Sequence, residues 1–250
     1  MNWRTIGAAL AAVSAGWLWA PAVEAHLRDY LVSQPYYTAK RGEFEVELFN
    51  DVSFKEADND DSYSTKHQLE LEYGITDHFQ LAYYEVYAWN RTQDWERDQF
   101  KIEAKYRLAE PGQWPLDVTL YTEYKNPDGS RERRSDAVES KLILSKDIGL
   151  WNVVANAIVE KDINTHSDWE LAYTAGISYG LTPRTRVGLE VKQQLGTSDE
   201  FRFDGTQELL VVPGIYTSLT PHVRILFGPA FGMTRASDDL QLRSIVEVEF

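Results

Sequence analysis

Gln99-Phe100-Lys101-Ile102-Glu103-Ala104-Lys105-Tyr106-Arg107-Leu108 alternates without a break. Phe100, Ile102, Ala104, Tyr106 and Leu108 share one parity, and Lys101, Glu103, Lys105 and Arg107 share the other. Successive side chains of a strand point to opposite faces, so this stretch is a strand with one apolar and one charged side. The same period extends in both directions. Residues 42–54 set Phe44, Val46, Leu48, Val52 and Phe54 against Glu43, Glu45, Glu47 and Asp51. Residues 66–73 set Leu69, Leu71 and Tyr73 against Gln68, Glu70 and Glu72. Residues 116–125 and 169–179 repeat the pattern, and weaker runs occupy 79–89, 138–146, 152–160, 186–195, 207–219, 223–231 and 240–250. The expectation is an all-β chain of about twelve strands. Two residues break the alternation: Glu85 falls on the apolar parity of its run, and Pro213 interrupts another. A bulge is the expected way to absorb each.

Short turns repeat between the runs. Tyr73-Gly74-Ile75-Thr76-Asp77 matches Tyr179-Gly180-Leu181-Thr182-Pro183, and Ser218-Leu219-Thr220-Pro221 is a shorter form. Ile148-Gly149-Leu150-Trp151 and residues 110–115 continue the series, roughly every 35 residues, a spacing that holds one pair of strands. A propeller needs four strands per blade, so the repeat argues against one. Longer charged connections alternate with these turns at 55–64, 90–98, 126–136, 162–167, 196–205 and 234–239. Short turns at one end and long loops at the other are the asymmetry of a transmembrane up-and-down barrel.

Composition narrows the function. A formal charge of −14 excludes a general nucleic-acid binder, which needs basic surface to displace counterions. With no Cys there is neither a disulfide framework nor a thiolate metal site. Mean hydropathy is −0.42, and after the N-terminus no run approaches the ~20 apolar residues of a membrane helix. That criterion is blind to strands that alternate polar and apolar residues. Residues 1–25 have the form of a cleaved secretory signal: Arg4, an apolar stretch over 6–20, Pro21, then Val23-Glu24-Ala25 ahead of His26. Three regions follow: a signal peptide at 1–25, an N-terminal periplasmic or plug segment at 26–41, and a barrel at 42–250.

The chain ends Val246-Glu247-Val248-Glu249-Phe250. Val246, Val248 and the terminal Phe250 resemble the assembly signal of Gram-negative outer-membrane barrels, which the barrel assembly machinery reads. Together with the turns at 73–77 and 179–183 and the opening Gly42-Glu43-Phe44-Glu45-Val46-Glu47-Leu48, the chain resembles small transporter- or porin-like barrels, such as the meta-pathway phenol-degradation family. The resemblance implies an outer-membrane location and a pore, and it implies no particular solute. The physics of the class agrees, because a strand crosses lipid only as part of a closed barrel. Tyr73, Phe79, Trp89, Tyr106, Trp114, Trp151, Trp169 and Tyr179 cluster at strand ends, as interfacial girdles do. A lipocalin-like barrel or a β-sandwich would turn the apolar parity inward instead.

The second parity then lines the lumen: Glu43, Glu45, Glu47, Glu70, Glu72, Lys101, Glu103, Lys105, Arg107, Asp117, Glu123, Lys125, Glu139, Lys141, Glu170, Glu190, Lys192, Arg243, Glu247 and Glu249. Acids outnumber bases, which favours passive passage of small solutes with a mild preference for cations. The alternative is a closed barrel that acts through its loops. No catalytic function is expected: His67, His78, His166 and His222 are scattered, and none is placed to activate a Ser. No cofactor and no metal site are expected. His26 is read as an ordinary terminus and Asp58-Asn59-Asp60-Asp61 as a solvated acidic loop, without the Gly and distal Glu of a calcium loop. Arg131, Arg133 and Arg134 are candidate contacts for lipopolysaccharide phosphates. The expected partners are thus outer-membrane lipid, lipopolysaccharide, the assembly machinery and small solutes.

Overall fold

A computed structural model describes residues 29–56, 63–90, 93–128, 135–163, 166–203 and 205–250. The signal peptide at 1–25, His26, the acidic run at 58–61 and Arg131, Arg133 and Arg134 lie outside the described residues. Twelve strands are described: β1 (Phe44–Phe54), β2 (Tyr63–Thr76), β3 (Phe79–Asn90), β4 (Gln93–Arg107), β5 (Asp117–Pro127), β6 (Ala137–Ile148), β7 (Trp151–Asp162), β8 (Glu170–Thr182), β9 (Thr185–Thr197), β10 (Leu209–Thr220), β11 (Val223–Gly232) and β12 (Leu240–Glu249). Each pairs antiparallel with its sequence neighbours, and β1 pairs with β12 to close the barrel. The closing seam runs from Glu45 opposite Glu249 to Phe54 opposite Leu240, so no strand edge is left unpaired. No helix among the described residues is long and apolar enough to cross a membrane.

Alternation orients the wall. Leu48, Leu69, Leu81, Ile102, Leu120, Leu142, Ile177, Leu189, Ile215 and Phe227 all point outward, each at least 40% exposed. They form an apolar belt around the barrel, the opposite of a soluble barrel's arrangement. Exposed rings flank the belt, with Tyr73, Tyr106, Trp114 and Trp151 towards the short turns and Tyr87, Trp95 and Trp169 towards the loops. An outward apolar belt between aromatic girdles on a closed barrel is a lipid-facing surface.

Three local expectations change. The connection expected at 90–98 is mostly strand: β4 begins at Gln93, and Asn90 opposes Gln93. The expected irregularity lies beside Glu85, where the β3–β4 ladder shifts register between Val86 and Tyr87 and leaves Asp98 as the extra residue on β4, but it does not turn Glu85 inward. Glu85 keeps the outer parity, accepts from Arg97 Nε at 2.8 Å and from the Tyr83 hydroxyl, and so has its charge balanced on the outer face. Pro213 stays paired with Leu189 on β9, while the β10–β11 ladder is interrupted between Val211 and Ile215. A proline has no N–H to give that ladder, so the gap follows from its chemistry.

Candidate functional site

The barrel interior is built from the inward parity. Glu45, Glu47, Glu70, Glu72, Glu103, Lys105, Arg107, Asp117, Glu123, Glu190 and Glu247 are buried there. Glu43, Lys101, Lys125, Glu139, Lys141, Lys192, Arg243 and Glu249 are half-buried, and Glu170 is exposed at the loop end. The charges separate into two territories. On β4 to β7 the wall is paired: Lys125 Nζ lies 2.8 Å from Glu139 and 2.7 Å from Glu160, Lys141 lies 2.7 Å from Glu139, and Lys101 lies 3.6 Å from Glu123. Around the β12–β1–β2 seam the wall is acidic, and like charges face each other directly. Glu45 opposes Glu249 and Glu72, and Glu47 opposes Glu247 and Glu70.

Residues 29–41 run inside the turn end of the barrel. Asp29, Tyr30, Leu31, Ser33, Thr38 and Ala39 are all buried. Glu190 on β9 accepts the backbone amides of Leu31 at 2.6 Å, Val32 at 3.0 Å and Ser33 at 2.7 Å. Arg243 Nη1 donates to the Leu31 carbonyl at 2.9 Å, and Arg224 and Arg186 both reach the Asp29 carboxylate. Tyr30 donates to Asn152 Oδ1 at 2.6 Å, while Asn156 accepts from the Gln34 amide at 2.7 Å and returns a bond to its carbonyl at 3.1 Å. Ala39 donates to Gln80 Oε1 at 2.8 Å. A buried strip of backbone needs partners of this kind, because unsatisfied amides inside a barrel are costly.

The wall is also shaped to this segment. A Cβ at Gly176 would stand 2.7 Å from the Tyr30 ring, and one at Gly74 would stand 1.9 Å from the Lys40 carbonyl oxygen. Glycine is what allows the chain to approach so closely at both places. Leu31 packs with Phe49, Leu210, Val212, Tyr216, Leu226, Ala230 and Ile245, an apolar cluster on the inward face. Tyr30 packs with Tyr121, Ile143 and Val154, and Tyr36 lies against them. The loop end is emptier. Cavities of ≈ 380 and ≈ 320 Å³ lie there, both lined by Glu170, the first also by Arg202 and the second by Lys125 and Glu160.

Several interior residues escape a reading based on charged parity. Asn152, Asn156, Arg186 and Arg224 hold the N-terminal segment, and none stands in a strongly alternating run. Their only signal is inward parity in the weaker runs at 152–160, 186–195 and 223–231. The histidines do not assemble. His67 bonds Asn50 at 2.7 Å, His78 pairs with Glu110 at 2.8 Å at a turn, and His166 and His222 lie in separate connections. At that same turn Arg107 donates to Glu110 at 2.9 Å, which holds the Glu110 carboxyl below the usual carboxylate range. Val246 and Val248 lie on the outward parity of β12; Phe250 is exposed, its amide donating to the Phe44 carbonyl at 2.8 Å and its ring 6.0 Å from that of Phe44.

A closed twelve-stranded antiparallel barrel with a lipid-facing belt and a polar interior is an outer-membrane β-barrel. Solved structures share this fold. A COG4313 outer membrane channel from Pseudomonas putida F1 superposes with a TM-score of 0.61 at 13% identity, over 87% of this chain and 100% of that one. The KdgM porin gives 0.59 at 11% identity, over 82% and 98%. The NanC porin gives 0.54 at 11%, over 83% and 98%. No protein-family model matches the chain, and no curated protein does.

Proposed function

We propose that the chain is an outer-membrane channel for small solutes with a mild preference for cations. The observation that carries this reading is the inward wall, where buried carboxylates on β1, β2, β4 and β12 outnumber the bases beside them. The porin and channel structures that share the fold support it. Residues 29–41 narrow the turn end, so conduction in this reading is small in the resting barrel and rises when the segment is displaced. The rings at the strand ends meet lipid and lipopolysaccharide, the assembly machinery reads Val246, Val248 and Phe250, and residues 1–25 are removed on export.

One observation favours a second reading. The turn end of the lumen is filled by side chains of residues 29–41, as a closed barrel acting through its loops would be. Recordings in planar bilayers separate the two. Discrete openings with a cation-selective reversal potential in a salt gradient are expected of the channel; silence from folded, inserted protein supports the closed barrel.

A further inference from the structure

Residues 29–39 belong to no strand, yet their peptide groups are met by side chains of the inner wall. Glu190 takes the consecutive amides of Leu31, Val32 and Ser33, which converge on one carboxylate where the segment bends. Arg243 donates to the Leu31 carbonyl, Thr119 donates to the Tyr36 carbonyl, and Gln80 accepts from the Ala39 amide. Asn156 accepts from the Gln34 amide through Oδ1 and donates to the Gln34 carbonyl through Nδ2, so one side chain matches both main-chain groups of one residue. These partners stand on β3, β5, β7, β9 and β12, on different sides of the lumen. An N–H and a C=O spaced by one residue are what every peptide carries and what an inorganic ion or a simple sugar lacks.

At the start of the segment the side chains are sorted as well. The Asp29 carboxylate lies between Arg224 and Arg186, the latter at 3.4 Å. The Tyr30 ring enters the cluster of Tyr121, Ile143 and Val154, and its hydroxyl donates to Asn152. Leu31 fills the apolar cluster around Leu210, Leu226 and Ile245. Three consecutive residues thus meet a basic seat, an aromatic-lined seat and an aliphatic seat.

Filling space needs none of this. Apolar side chains would close the lumen without burying carboxylates and amides, each of which costs free energy when its partner is missing. A few convergent polar groups set among apolar walls are the anatomy of a ligand site.

We propose that the turn end of the lumen is a binding site for short peptides, with residues 29–41 as its resident occupant, and that it selects an acidic residue followed by an aromatic and an aliphatic one. The seat stands whether or not the barrel conducts; that a bound peptide goes on to cross the barrel rests on the channel reading. The resident segment is tethered to β1 through residues 40–43, so it competes at an effective concentration on the order of millimolar. A free peptide therefore binds far more readily once the segment is unseated.

The test uses the full mature chain folded in detergent, with the gel shift on boiling as the check of folding. Leu31→Asp places a charge in the apolar cluster, which unseats the segment and leaves the wall unchanged; cleavage by added protease between residues 29 and 41 reports the unseating. The probe is a synthetic peptide with the sequence of residues 29–41, labelled with a fluorophore and read by anisotropy. Saturable binding to Leu31→Asp is expected, at least about tenfold tighter than to the wild type. Adding Asn156→Leu or Glu190→Ala is expected to weaken it at least about tenfold. A peptide of the same composition in scrambled order is expected to bind as weakly. Tyr30→Ala unseats the segment from the neighbouring position, should give the same result, and stands in where Leu31→Asp does not fold. No saturable binding to a folded, unseated variant, or binding indifferent to Asn156→Leu and to the order of the peptide, would overturn the site. A segment still protected in both variants would overturn the Tyr30 and Leu31 seats. Anisotropy involves no conduction: peptide binding to a barrel silent in bilayers keeps the site and removes the channel, and a conducting barrel that binds no peptide does the reverse.

Discussion

Glu190 and Leu31, 159 positions apart in sequence, meet inside the barrel, where the Glu190 carboxylate accepts the Leu31 backbone amide at 2.6 Å. The same carboxylate takes the amides of Val32 and Ser33 and the Tyr216 hydroxyl. Hydrogen bonds to a charged acceptor contribute about 1.5–3 kcal/mol each, so this one side chain is the main anchor of the N-terminal segment.

Glu190→Ala removes that acceptor and strands three buried amides. The segment is expected to leave the lumen while the barrel stays closed. Limited proteolysis read by mass spectrometry checks this: cleavage between residues 29 and 41 should appear in the variant and not in the wild type. Equal protection in both would refute the anchoring role.

Gly176→Val attacks the same contact by volume. The new side chain enters the space of the Tyr30 ring, and the closest atoms are side-chain atoms, so the ring yields before the wall does. The same cleavage pattern is expected, with no change in charge. An intact segment would show that the Tyr30 seat is not tight.

Much of the wall was legible in the sequence, because charged and apolar residues alternate strictly where the outer face meets lipid and the inner face meets charge. Gln99 to Leu108 is such a stretch, and its core became β4. The interior of β10 to β12 was not legible. Leu210, Val212, Leu226 and Ile245 point inward although they are apolar, since their partner is Leu31 and not water. Alternation vanishes when both faces are apolar, so parity alone gives no direction there. Glu85 shows the converse: a charge on the lipid parity is tolerated because Arg97 meets it.

Ile102 is 49% exposed in the outer belt. Ile102→Arg is expected to cost roughly 2–4 kcal/mol at midplane depth in lipid vesicles, measured by urea unfolding. Glu170→Arg, inside the loop mouth, is expected to stay within about 0.5 kcal/mol of the wild type. The reverse order would mean that the apolar face does not meet lipid.

Phe250 touches Phe44 across the seam, where the last strand meets the first. Deleting Phe250 is expected to slow assembly in cells and expose the chain to periplasmic proteases, read as a lower yield of the heat-modifiable form. An unchanged yield would remove Phe250 from assembly.

Conduction through a lumen narrowed by residues 29–41 is tested most directly by single-channel recording in planar bilayers. Expected are small, discrete, cation-selective openings from the wild type and larger ones from Glu190→Ala. Silence from both, with folded protein shown in the same bilayers, would contradict it.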